Sequence, residues 1–265
     1  MQPVRVLVHG ALGRMGQQVL SAVCRDPELT PVAAVDSGAD KDSLRLPDDS
    51  GAVPLSADLQ SLLQISTPDV MVDFTQHAAT MPAVRVATRH RASLVIGTTG
   101  LSEADLDEID KLSREHGVGA VVAPNFSLGA VLMIHLSRIA ARFFDYAEII
   151  EMHHEKKIDA PSGTAIATAK GMIEARGGPF TYPETQKETL HGGRGVELGG
   201  IAIHSVRSPG FMAHQEVILG GVGQTLRIRH DQIDREAFMP GVLLAIKKAV
   251  KSRGLTFGLD KLLDL

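Results

Sequence analysis

Short, β-branched apolar runs recur along the first half of the chain, each followed by a stretch of helical period. Residues 4–8, 31–35, 70–74, 94–96 and 119–123 read as buried strands. Between them the pattern predicts helices over 16–24, 56–64, 78–91 and 102–116. The last of these opens on Ser102 with Asp105 three positions on, a capping-box arrangement. Residues 41–58 are polar, carry Pro47, Gly51 and Pro54, and read as a surface loop. Regular alternation of strand and helix predicts a doubly wound parallel sheet.

After about residue 127 the pattern changes. Residues 128–143 predict a helix with apolar positions at Leu132, Leu136, Ile139 and Phe143. A strand over 146–152, a polar turn and a helix over 164–176 follow. The Gly-rich stretch 177–200 reads as an extended loop, and Arg194 within it as a plain surface residue or a mobile anion contact. Three β runs, 201–206, 214–219 and 224–229, are separated by Ser208-Pro209-Gly210 and Gly220-Gly221-Val222-Gly223. Adjacent strands joined by short turns predict antiparallel pairing. Residues 234–251 predict a helix with Phe238, Val242, Ala245, Ile246 and Ala249 on one face, and 255–260 a tail that returns to the first domain. The expected architecture is α/β. An N-terminal Rossmann-like domain over 1–127, rejoined by 236–265, precedes an α+β domain over 128–235 built on a mixed sheet. An open face on that sheet would suit self-association.

Composition narrows the function classes. The chain has 265 residues, 44% of them apolar and 22% charged, ordinary for a soluble globular protein. A net charge of −4 without a long basic run argues against nucleic acid as a partner. Cys24 is the only cysteine, which excludes an internal disulfide and a cysteine-based metal site. No apolar stretch is long enough to span a bilayer, and Met1-Gln2-Pro3-Val4-Arg5 lacks a signal-peptide layout, so a cytoplasmic location is expected.

The first strand runs into His9-Gly10-Ala11-Leu12-Gly13-Arg14-Met15-Gly16 and then a helix. Strand, glycine-rich turn and helix form the context in which a dinucleotide fingerprint is credible. Glycines let the backbone approach a pyrophosphate, and the helix N-terminus faces its charge. Gly10, Ala11, Leu12, Gly13, Arg14 and Met15 are therefore candidate cofactor contacts, although such turns also arise for packing reasons. Asp36 ends the second strand twenty residues after Gly16, where an acid is expected to bind the adenosine ribose hydroxyls. Ser37 follows where an Arg would accommodate the extra phosphate of NADP. NADH or NADPH both stay open, with NADH favoured, and Lys41 stands close enough to contact a phosphate. Gly97-Thr98-Thr99-Gly100 and Ala123-Pro124-Asn125-Phe126 lie at strand ends where open α/β sheets bind ligands. An ordinary helix lead-in would read the same way at 97–100.

The stretch from Glu148 to Ala165 concentrates the remaining chemistry. It begins as a strand, passes through His153, His154, Lys156 and Lys157, and ends at Pro161-Ser162-Gly163-Thr164, a helix start. A helix N-terminus binds carboxylate or phosphate through free N–H groups. Lysine adds mobile positive charge, and histidine supplies a proton near neutral pH. Period two puts Glu151 and His153 on one face and Met152 and His154 on the other, so both histidines serve one pocket only if the strand stops near His153. They are adjacent and have no evident third ligand, so no metal is expected.

The pattern Glu148-Ile149-x-Glu151-x-His153-x-x-x-Lys157-x-Asp159-x-Pro161-Ser162-Gly163-Thr164-Ala165 resembles the signature of dihydrodipicolinate (4-hydroxy-tetrahydrodipicolinate) reductases, enzymes of diaminopimelate and lysine biosynthesis. Gly13-Arg14-Met15-Gly16 also matches the form found there. The resemblance covers essentially the whole chain. It implies that His153 and Lys157 act as the acid pair, that His154 holds a substrate carboxylate, and that Ser162, Gly163 and Thr164 bind a carboxylate. It implies too that Gly97, Thr98, Thr99, Ala123, Pro124, Asn125 and Phe126 approach the nicotinamide half of the cofactor. The implied reaction is NAD(P)H-dependent reduction of a small cyclic dicarboxylate, hydroxy-tetrahydrodipicolinate, by a homotetramer assembled through the second sheet. Two other readings would need less of the central stretch. A reductase of a sugar or semialdehyde would need no dicarboxylate pocket, and a non-catalytic NADH-binding redox sensor would need neither His153 nor Lys157.

Overall fold

The computed structural model describes residues 2–265. The elements in chain order are β1 (Val4–His9), α1 (Arg14–Arg25), β2 (Leu29–Val35), β3 (Ser43–Arg45), β4 (Ala52–Ser56), α2 (Leu59–Ser66), β5 (Val70–Asp73), α3 (His77–Arg89), β6 (Ser93–Ile96), α4 (Glu103–His116), β7 (Gly119–Val122), α5 (Leu128–Ala141), β8 (Tyr146–His153), α6 (Gly163–Arg176), β9 (Val196–Leu198), β10 (Ile201–Arg207), β11 (Ala213–Gly221), β12 (Gln224–Gln232), α7 (Met239–Ala249) and β13 (Gly254–Phe257). They form two compact units. One runs to Leu128 and takes in Phe238–Leu265; the other is Gly129–Ala237.

The first unit is an eight-stranded sheet in the order β13-β7-β6-β5-β1-β2-β4-β3, parallel throughout except for the β3–β4 pair. Its central strands are unbroken apolar runs because both faces are covered. On one face Leu7, Met71, Leu94 and Val122 pack against Leu62, Leu63, Val84 and Ile109 of α2, α3 and α4. Each such fully buried aliphatic side chain stabilises the fold by roughly 1.5–3 kcal/mol. The chain winds from β1 toward β2 in one direction and from β5 toward β13 in the other. The carboxyl ends of β1, β2 and β5 therefore sit at a switch point, where such sheets bind ligands. The stretch read as a loop over 41–58 instead contains the β3–β4 pair. Val53 and Leu55 alternate with exposed Ala52 and Pro54, and Leu55 pairs with Ala34 of β2. That alternation outweighs the two prolines and the glycine. The helix expected over 234–251 is a short 3₁₀ turn, Arg235–Phe238, followed by α7 with Pro240 in its first turn, where the missing N–H costs nothing.

The second unit is a five-stranded sheet ordered β12-β11-β8-β10-β9. Only β11 and β12 form the expected hairpin. β8 lies between β10 and β11, parallel to the first and antiparallel to the second. The short Ser208-Pro209-Gly210 link therefore joins strands that are not neighbours. One face of the sheet packs Ala147, Ile149, Ile203 and Val217 against Ala165, Ala169 and Met172 of α6. In α5 the buried positions are Ala130, Met133, Ser137 and Ala141, while Leu132, Leu136 and Ile139 are nearly half exposed. Arg194 is half-buried rather than plain surface. Its guanidinium donates to Glu148 at 2.5 Å and lies over the Tyr182 ring.

Candidate active site

In the first unit the turn after β1 is shaped by glycine. Gly10 has φ +84°, and a Cβ there would stand 2.7 Å from the Phe74 carbonyl oxygen. A Cβ on Gly16 would stand 2.1 Å from the Gly10 carbonyl oxygen, so α1 can lie this close to the turn only without one. Gly13 caps α1 without any side-chain hydrogen bond, which leaves first-turn N–H groups for a ligand. Asp36, at the end of β2, accepts from the Leu12 and Gly38 amides, both at 2.9 Å. Each of its oxygens keeps a further lone pair. Between these parts lies a cavity of about 310 Å³ lined by His9, Gly10, Gly13, Asp36, Thr75 and Gln76 among others. An uncapped helix start, glycines that admit close approach and a strand-end acid fit a nicotinamide dinucleotide.

The neighbouring strand ends are knitted together by Asp73, which is fully buried. Its Oδ1 accepts from the Thr75 amide at 2.9 Å, the Thr75 hydroxyl at 2.6 Å and the Thr98 hydroxyl at 3.4 Å. Gly97 makes room for the Phe74 ring, which lies 5.7 Å from the Phe126 ring. The loops 73–75, 97–98 and 123–126 are thus one assembly. Ala11, Ala123 and Phe126 are buried, so a cofactor would meet their backbone, whereas Arg14, Thr99 and Pro124 are exposed. His9 stands 3.6 Å from Asp73. Burial pushes its imidazole below the usual range, against the opposing pull of Asp73 and Asp36.

In the second unit β8 stops at His153, as a shared pocket for the two histidines requires. Glu151 and His153 lie on the α6 side of the sheet. The fully buried Glu151 carboxylate accepts from His153 Nδ1 at 2.5 Å, from the Ser162 amide at 3.2 Å, and from both Nη atoms of Arg207 at 2.8 Å. Burial alone would raise its pKa. The hydrogen bonds from His153, Arg207 and Ser205 win and hold it at about 2. The Lys157 ammonium donates to Asp159 at 2.6 Å, and that bond holds the Asp159 carboxyl below the usual range. Arg207 also donates to the Asp159 carbonyl at 2.7 Å. Ser162 caps α6, its hydroxyl accepting from the Ala165 amide at 3.2 Å. The Gly163 and Thr164 amides, first in the helix, have no intrahelical partner, and the space beside Gly163 is open. The His154 ring has no hydrogen-bond partner among the described residues.

The structure therefore brings His153, Lys157 and Ser162 into one hydrogen-bonded cluster, with Gly163 and Thr164 next in the chain. The reading from sequence gave no role to the groups that join them, Glu151, Asp159 and Arg207, nor to His9 and Asp73. Asp73 has the same local signal as Asp36, an acid ending an apolar strand. Arg207 has none, because it reaches Glu151 only through the pairing of β10 with β8, where it stands opposite His153.

Residues 4–126 match the family described as dihydrodipicolinate reductase, N-terminus, and residues 129–263 match its C-terminus. Relatives named 4-hydroxy-tetrahydrodipicolinate reductase span the whole chain. The protein of Dehalococcoides mccartyi is 55% identical over 265 residues, 100% of both chains. That of Moorella thermoacetica is 49% identical and covers 98% of each, and that of Bacillus subtilis is 42% identical and covers 99% of each. A dipicolinate-bound dihydrodipicolinate reductase from a Paenisporosarcina species superposes with a TM-score of 0.87 at 38% identity, covering 98% of this chain and 99% of its own. An amine dehydrogenase from Mycobacterium smegmatis, at 14% identity and a TM-score of 0.63, shares the fold. A glycine turn for a dinucleotide, a His–Lys cluster beside a helix start, and these full-length relatives agree: the chain belongs to the dihydrodipicolinate reductase family and is an oxidoreductase.

Proposed function

We propose that this protein reduces 4-hydroxy-tetrahydrodipicolinate to tetrahydrodipicolinate with loss of water, in the route to diaminopimelate and lysine, and that it favours NADH over NADPH. One hydride and one proton are added and one water leaves. The observation that carries the substrate assignment is the turn from His153 to Thr164, where a proton source and an ammonium lead into a helix start with two unpartnered N–H groups. A dicarboxylate needs such an anchor at one end of the ring, and reduction needs an acid beside the other atoms.

The bound nicotinamide supplies the hydride. Gly10–Gly13 and the start of α1 hold the cofactor's pyrophosphate, and Asp36 accepts from the adenosine ribose hydroxyls. With Ser37 rather than an Arg following it, nothing at that position answers a 2′-phosphate, which supports NADH. His153 and Lys157 provide the proton and polarise the substrate. The Gly163 and Thr164 amides and the Ser162 and Thr164 hydroxyls bind one carboxylate, and His154 binds the other. The sheet face turned away from α6 carries Ile150, Ile218, Glu148 and Glu216 with no helix over it, which supports a homotetramer assembled through this sheet. No helix among the described residues is long and apolar enough to cross a membrane, and Cys24 is a free thiol; both suit a cytoplasmic enzyme.

Dipicolinate, a planar analogue of the substrate, tests the site. Titrated calorimetrically into the protein with NADH present, it is expected to bind saturably. Lys157→Ala should weaken it roughly tenfold or more while the NADH titration stays unchanged. Undiminished dipicolinate binding in that variant would remove Lys157 from the site.

A further inference from the structure

We infer that Glu151 is the positioning residue of this site, a single buried carboxylate that fixes the His153 ring and the start of α6 against each other, with Arg207 locking it in place. The inference rests on the reading of His153 as a proton source and of residues 162–164 as a carboxylate cradle.

The geometry is specific. Oε2 accepts from His153 Nδ1 at 2.5 Å and from Arg207 Nη1 at 2.8 Å; Oε1 accepts from Arg207 Nη2 at 2.8 Å and from the Ser162 amide at 3.2 Å. The two-pronged guanidinium contact removes the rotational freedom of the carboxylate. An ionised carboxylate only accepts hydrogen bonds, so Nδ1 of His153 must carry a proton, and Nε2 becomes the nitrogen that exchanges one with substrate. The same carboxylate tethers Ser162, the residue that opens the carboxylate cradle. Proton source and cradle are therefore set by one group. Arg207 extends the tether to the Asp159 carbonyl at 2.7 Å, and the Asp159 side chain in turn holds Lys157 at 2.6 Å. Glutamine has the shape of this side chain but not its acceptor capacity. Its NH₂ would face a donor whichever way the amide turned.

The test uses the full-length protein with Glu151→Gln and Arg207→Lys. The measurements are kcat and KM for freshly generated substrate, NADH affinity by fluorescence, and the ring tautomer of His153 by ¹⁵N-edited NMR. Glu151→Gln is expected to lower kcat about a hundredfold, raise substrate KM several-fold, leave NADH affinity within about twofold, and abolish the preference for the Nδ1–H tautomer. Arg207→Lys, which keeps the charge but loses the fork, should shift the same quantities less. Wild-type kcat, KM and tautomer in Glu151→Gln would overturn the inference. Should that variant not fold, an unaltered tautomer and KM in Arg207→Lys would overturn it equally. A wild-type protein that turns over no dicarboxylate, with the tautomer still shifting in Glu151→Gln, would sink the proposed reaction and leave the positioning of His153 standing.

Discussion

At Asp36 two backbone amides each take one lone pair, so the carboxylate pins the β1–α1 turn and keeps the lone pairs that the proposed ribose contact would use. Hydrogen bonds to a charged group are worth about 1.5–3 kcal/mol. Asp36→Ala is therefore expected to weaken NADH by roughly tenfold to a hundredfold, and NADPH less, by fluorescence titration. Equal loss for both cofactors would contradict a role at the ribose hydroxyl. At this scale the sequence was informative wherever chemistry follows from local position. Asp36 ends a strand, His153 ends another, and Ser162 precedes a helical run. It was uninformative where a residue acts across the sheet. Arg207 lies 56 positions from Glu151, and nothing near it in the chain announces the ion pair. Asp73 did not stand out because it falls inside the run read as a core strand, 70–74, with Phe74 after it.

Among the elements, the start of α1 depends on a glycine. Gly16 is buried, and its missing Cβ lets the helix pass the Gly10 carbonyl oxygen. Gly16→Ala forces the two apart, at a cost of about 1–3 kcal/mol for overpacking. The expected outcome is a lower Tm in calorimetry together with weaker NADH binding. A variant with wild-type Tm and affinity would mean that the close approach is dispensable. The parallel sheet could be read from alternation because its central strands β5, β6 and β7 are buried on both faces and helices alternate with them along the chain. The β3–β4 pair was hidden by Pro47, Gly51 and Pro54, although Val53 and Leu55 already alternate with exposed positions. In the second sheet only the β11–β12 pairing was legible. Short links suggested neighbours, and the insertion of β8 between β10 and β11 depends on long-range pairing.

Across the whole molecule the first unit carries the glycine turn and strand-end acid that fit a dinucleotide, and the second carries the His153–Lys157 cluster beside the start of α6. In the second, β8 serves both its faces. Glu151 and His153 lie on the α6 face, hydrogen-bonded to each other and to Arg207, while Glu148 and Ile150 lie on the face opposite α6 with Ile218 beside Glu148. If that face is the surface through which copies associate, Ile218→Glu should break a tetramer into smaller species, seen by light scattering. A variant that stays tetrameric would place the interface elsewhere. Reduction of hydroxy-tetrahydrodipicolinate is best checked by following oxidation of NADH and NADPH in parallel. Substrate is generated freshly from pyruvate and aspartate semialdehyde by the synthase of the preceding step. Oxidation is expected to depend on that substrate and to run faster with NADH at limiting cofactor. Cofactor binding without any substrate-dependent oxidation would contradict the proposed reaction.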